Sequence, residues 1–109
     1  MLAEALRRLV PQEPKYKVYT ALLTQSGTSA PVATVLENTL GIISFDVDSE
    51  GIYLIKSISL FTENKTAVFF TNSLSYDSNI NRVDESTINL DVSSSDNMSN
   101  STIEIRVYN

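Results

Sequence analysis

The chain has 109 residues, a net charge of −5, and neither cysteine nor histidine. One domain of modest stability fits that length. The missing residue types exclude a disulfide framework, a thiolate metal site and any Ser-His-Asp or Cys-His catalyst built within the chain. Hydrophobic residues make up 42%, enough to build a core, while Ser, Thr and Asn supply roughly a third of the positions and suit polar strand faces and hydroxyl-rich turns.

Charge divides the chain in two. Residues 1–17 carry +2, from Arg7, Arg8, Lys15 and Lys17 against Glu4 and Glu13, and the remainder carries −7. An acidic body gives nucleic acid no basic face, so no nucleic-acid partner is expected. No apolar run approaches the roughly 20 residues that span a bilayer, and Glu4, Arg7 and Arg8 break up the opening residues, so neither a membrane partner nor a secretory signal is expected.

Residues 1–14 form an arm. Leu2, Leu6, Leu9 and Val10 fall at helical spacing with Glu4, Arg7 and Arg8 off the stripe, which predicts a short amphipathic helix ended by Pro11 and Pro14. Ten residues are too few for an isolated helix in water. The stripe therefore needs a surface, either its own domain or a partner. Leu2, Leu6, Arg7, Arg8, Leu9 and Val10 are the candidate contacts for self-association or docking.

Residues 15–109 read as an all-β domain. Lys15 to Gln25 alternates Tyr16, Val18, Thr20 and Leu22 against Lys17, Tyr19, Ala21 and Leu23. Ser26 to Ala30 is a turn, and Pro31 is tolerated only at the start or the edge of the next strand, Val32 to Glu37. Asn38 to Gly41 turns again. Ile42 to Asp48 places Ile43, Phe45 and Val47 inward, and Ser49-Glu50-Gly51 supplies a hairpin. The alternation from Ile52 to Phe61 predicts the longest strand.

Ala67-Val68-Phe69-Phe70 is apolar on both faces and predicts a strand covered on both sides, by a second sheet and a neighbouring subunit. Ser73 to Arg82 reads as the longest loop. Ile88, Leu90 and Val92 share one face, Ser93 to Asn100 is polar, and Ile103, Ile105 and Val107 point inward on the last strand. About seven strands at this spacing predict an antiparallel β-sandwich, Ig-like or jelly-roll-like.

No constellation carries chemistry. Asp46-Val47-Asp48-Ser49-Glu50-Gly51 resembles the opening of a calcium loop, but Ser57 stands where the bidentate Glu is needed, which favours a plain acidic hairpin. Asp84-Glu85 has no second acid gathered with it. Tyr16, Tyr19, Tyr53, Tyr76 and Tyr108 could line a sugar-binding face, but they are scattered over different elements. No catalytic, metal or cofactor residues are expected, and no enzyme.

The stretch Lys15–Gly41, with Gly51-Ile-Tyr-Leu-Ile, Leu60 to Thr66 and Thr102 to Tyr108, resembles a family of small proteins of Bacteroidota bacteriophages, including crAss-like phages, and of related prophages. The resemblance covers most of residues 15–108. It implies a virion structural protein of the head-fibre or capsid-decoration type, made in the host cytoplasm and carried on the capsid exterior. Its implied partners are further copies of itself, a homotrimer preferred to a homodimer, and the major capsid protein or another virion protein, reached through the arm. A glycan-binding adhesion module and a phage tail component are the alternatives.

Overall fold

The computed structural model describes residues 15–71, 78–92 and 98–109. The helix expected over the arm lies outside these residues, as do its six candidate contacts. Eight strands run in chain order as β1 (Tyr16–Gln25), β2 (Val32–Asn38), β3 (Ser44–Ser49), β4 (Ile52–Lys56), β5 (Thr66–Thr71), β6 (Asn79–Asp84), β7 (Thr87–Asp91) and β8 (Met98–Tyr108). They form two antiparallel four-stranded sheets, ordered β2-β1-β8-β5 and β3-β4-β7-β6.

The two sheets share one core. Tyr19, Ala21 and Leu23 of β1 and Ile103, Ile105 and Val107 of β8 meet Tyr53 and Ile55 of β4 and Ile88 and Leu90 of β7. These four strands are the inner pair of each sheet, so the period-2 pattern reaches its full contrast there. Burying each such aliphatic side chain contributes roughly 1.5–3 kcal/mol before the entropy of ordering is set against it. The Tyr19 and Phe45 rings meet across the layers with centroids 6.3 Å apart. The arrangement is sandwich-like and all-β, as the alternation predicts.

Ser26 to Ala30 is the expected turn. Gln25 is 97% buried, at 3% exposure, and its side-chain amide donates to the Gly27 carbonyl and, at 3.1 Å, to that of Ser29. The turn is therefore held from inside the core as well as by its own backbone. Pro31 stands just before β2, at the start of the strand as expected, and β2 proves to be an edge of its sheet. The Glu50-Gly51 hairpin joins β3 to β4 with Gly51 at φ 75°, a left-handed conformation open to glycine at little cost.

The strand bounds differ from the sequence reading most at three places, and the described residues hold eight strands rather than about seven. The strand expected over 52–61 stops at Lys56. From there the Ser57 N–H donates to the Ser86 carbonyl at 3.0 Å, and that of Phe61 to the Glu85 carbonyl at 2.9 Å. The Ser59 N–H donates to Ser86 Oγ at 3.1 Å. Residues 57–61 are thus fastened to the β6–β7 turn and leave the ladder. β6 occupies part of the expected long loop, where Asn79-Ile-Asn-Arg-Val-Asp84 is a polar edge with only Ile80 packed on the core. β8 starts at Met98, which is 2% exposed. Its pairing with β1 slips between Leu23 and Gln25, and Asn100 adopts φ 51° beside the irregularity.

Candidate functional site

One end of the body and one outer face carry the surfaces that core packing does not account for. At the end, the Asn38 side chain closes the turn after β2. Its Oδ1 accepts from the Leu40 and Gly41 N–H groups at 3.0 and 3.1 Å, and its Nδ2 donates to the Gly41 carbonyl at 2.8 Å. Thr39 fastens the same turn to β1, its N–H donating to the Val18 carbonyl at 2.8 Å and its Oγ1 accepting from the Val18 N–H at 2.9 Å. Gly41 has φ 142°, and a Cβ there would sit 2.7 Å from Leu60 Cδ1. The backbone angle itself strains any residue but glycine, whatever Leu60 does.

That approach leaves Ile42 and Ile58 outside, 87% and 89% exposed. They flank a cleft of about 330 Å³ with Leu60 at its base and Lys56 on its rim. Leu60 also borders a neighbouring hollow of about 240 Å³ lined by Lys17, Tyr108 and Asn109. The Lys15 carbonyl accepts from the Asn109 N–H at 3.0 Å. Lys15, where the described residues begin, therefore lies beside this apolar end.

The second surface is the outer face of the β2-β1-β8-β5 sheet. The register sets Tyr16 opposite Tyr108 and Val18 opposite Arg106, and it sets Ala67 of β5 opposite Arg106 on the other side. The Tyr16 and Tyr108 rings lie 5.1 Å apart, tilted by 55°. The Arg106 guanidinium lies over the Tyr16 ring and a third one, 4.8 Å from the Tyr16 centroid and 5.1 Å from that of Phe69, at the range where cation–π attraction operates. Its Nε donates to Glu104 Oε2 at 2.5 Å, and Thr20 Oγ1 donates to Glu104 Oε1 at 3.1 Å.

Hydrogen bonds to Tyr108 and then Glu104 push the Arg106 pKa above its ordinary value, so the cation is permanent. Beside Tyr16 lies a hollow of about 200 Å³ lined also by Val18, Glu37 and Thr39. The face thus offers aromatic rings, a fixed cation and two carboxylates together.

The remaining sequence candidates fall elsewhere. Asp46 lies on the exposed side of β3, where Oδ1 accepts from the Val47 N–H at 2.9 Å and Oδ2 sits 3.9 Å from Lys56 Nζ. Asp84 Oδ1 accepts from the Ser86 N–H at 2.8 Å and shapes a turn. Among the described residues no three acidic side chains gather as a metal site would require. Tyr19 and Tyr53 belong to the core, and Tyr76 lies outside the described residues.

Phe69, 50% exposed, is covered in part by Arg106 from its own sheet. Its role was hidden in the run Ala67 to Phe70, whose double-sided apolarity is the signal that marked it. Arg106 and Glu104 carried no signal beyond their outward phase on β8.

These features define the class, an all-β protein of two antiparallel four-stranded sheets. Compared with known proteins, the chain matches no protein-family model, no curated protein and no solved structure.

Proposed function

We propose that the chain is a non-enzymatic structural protein of a phage virion, of the head-fibre or capsid-decoration type. Its fold is a β-sandwich. It self-associates as a homotrimer or homodimer on the capsid exterior and is held to the major capsid protein, or to another virion protein, through residues 1–14. In that arm Leu2, Leu6, Leu9 and Val10 supply the apolar contacts, and Arg7 and Arg8 face acidic groups of the partner.

The observation that carries the reading is the apolar end at the root of the arm, where Ile42 and Ile58 stand almost wholly in solvent. A body that leaves two isoleucines uncovered beside its attachment segment is suited to contact, and the resemblance to phage proteins adds the virion. Purification of intact particles tests it. The protein is expected in them at high copy number, and a chain lacking residues 1–14 is expected to fold but to be missing from the particles. Absence of the full chain from particles, or retention of the shortened one, would count against the reading.

A second reading, a glycan-binding module, is favoured by one observation. Tyr16, Tyr108 and Phe69 gather round the Arg106–Glu104 pair beside a hollow edged by Glu37, and rings next to carboxylates suit the two faces of a sugar. Glycan-array binding by the full chain, lost on Tyr16→Ala, would favour it, and a blank array would remove it.

A further inference from the structure

The apolar end is built into the fold, and its isoleucines cannot simply fold away. The turn after β2 is closed by Asn38 and Thr39, and the loop after β4 is fastened to the β6–β7 turn through Ser57, Ser59 and Phe61. Within that loop the Leu60 N–H donates to Ser57 Oγ at 3.2 Å, and Ser59 takes φ 54°. Both walls of the cleft are therefore set by hydrogen bonds, with Ile42 on one, Ile58 on the other and Leu60 at the base. Apolar surface held open in this way favours whatever covers it.

The chain carries a segment of the right kind, and that segment ends in the right place. Residues 1–14 precede Lys15, whose carbonyl holds the Asn109 N–H. Asn109 lines one hollow together with Lys17 and Leu60, and Leu60 is the floor of the cleft as well. Residues 11–14 span at most about 14 Å, and residues 1–10 as a helix are about 15 Å long. The stripe Leu2, Leu6, Leu9 and Val10 thus reaches Ile42 and Ile58 without leaving its own chain.

Charge points the same way. Residues 1–10 hold Arg7 and Arg8 against Glu4, a positive excess, whereas a second body would bring acid to an acidic surface. The rim of the cleft carries both signs, with Lys56 Nζ 3.9 Å from Asp46 Oδ2, as the segment does off its stripe.

We infer that the cleft between Ile42 and Ile58 is the seat of the chain's own residues 1–10, whose apolar stripe covers both isoleucines in the free protein. The short tether holds the stripe near its seat at an effective concentration on the order of millimolar, which favours it over a second copy. Ten residues do not hold a helix alone in water, so helix and seat form together. The inference goes beyond the virion reading: a partner that takes the arm must first draw it from this cleft and leave Ile42 and Ile58 bare.

The absence of cysteine allows a clean test. A nitroxide is attached to the full chain at Ala3→Cys, a position off the stripe, and methyl signals are followed by NMR in isotope-labelled protein. The Ile42, Ile58 and Leu60 signals are expected to broaden at every protein concentration. Ile58→Lys, at a position 89% exposed, should keep the fold and lose the broadening at Ile42 and Leu60. A mixture of nitroxide-bearing chains with separate isotope-labelled ones should show none.

Four results overturn the seat: no broadening at this end, broadening centred on Val35 and Leu36 of β2, broadening that survives Ile58→Lys, or broadening in the mixture, where a second copy supplies the segment. Should Ile58→Lys fail to fold, Ile42→Lys replaces it, with loss at Ile58 and Leu60 expected and retention overturning the seat. The virion reading is decided separately, by presence in particles. A seated arm on a protein missing from particles upholds the seat and sinks that reading, and an unseated arm on a particle-borne protein does the reverse.

Discussion

β1 has two neighbours, and they differ as core differs from surface. Toward β8 it forms nine registered pairs, from Tyr16↔Tyr108 to Gln25↔Met98, and the inward residues Ile103 and Ile105 are fully buried. Toward β2 it forms six, and of β2's seven residues only Ala33 is even half-buried. Both partners are extended and rich in β-branched residues, so strand propensity does not separate them. What separates them is the opposite layer. β8 lies over β4 and β7, while β2 lies at the rim, where the facing sheet has thinned to β3. A strand's stability is set by what its side chains meet more than by what its backbone bonds to.

Substitutions should expose that gradient, and the largest effect belongs to the centre. Ile103→Ala removes buried methyl groups that no neighbour can replace. It should lower unfolding free energy by about 2–5 kcal/mol in denaturant titration; a loss under 1 kcal/mol would mean the core is far looser than it looks.

Gly41→Ala strikes the turn from which β2 hangs. The new Cβ would lie 2.7 Å from Leu60 Cδ1 at φ 142°, and a cost of about 1–3 kcal/mol is expected from thermal melts. Leu60 can swing aside, but the backbone angle cannot be relieved that way. A neutral result would show that the turn is free to rebuild, and with it the end cleft.

Alkaline pH probes the centre by another route. Burial pushes the Tyr19 phenol above its ordinary value of 10.0. Because the folded-state pKa is the raised one, the stability tied to the neutral ring is complete below pH 10.0 and is lost as pH climbs through the raised value. Stability should therefore fall in that window, and Tyr19→Phe should flatten the fall while leaving neutral-pH stability nearly unchanged. An identical alkaline slope in the variant would assign the effect to other groups.

Least is expected at the edge. Val32→Thr should change monomer stability by no more than about 0.5 kcal/mol. A cost like that of Ile103→Ala would erase the distinction between β1's two sides.

Much of the fold was legible because a half-buried strand writes its orientation into alternate residues. The inward phase of β3 and β8 and the shared apolar face of β7 could be read that way, as could the hairpin at Gly51 and the strand start after Pro31. β6 could not, since an edge strand meets water on most sides and Asn79 to Asp84 has almost no contrast. Leu60 and Phe61 extended the β4 alternation past its true end because each is sheltered by the loop it sits in, one half-buried and the other fully.

The outer-face cluster was out of reach for a different reason. Tyr16, Phe69 and Arg106 lie on three strands, and only the register of β1 and β5 against β8 brings them together. Alternation reports which face a residue takes, not its neighbour on that face. The five tyrosines looked scattered for that reason, while two of them share a cross-strand pair.

The long β1–β8 ladder also has a mechanical meaning. A load applied at Lys15 would enter the body in line with β1. Along that axis it shears nine registered pairs together, where a perpendicular pull would open them one after another. Tension is then shared across the length of the strand, and failure requires the whole ladder to slip at once. A small body tethered at that point would resist being dragged more stubbornly than its equilibrium stability alone suggests.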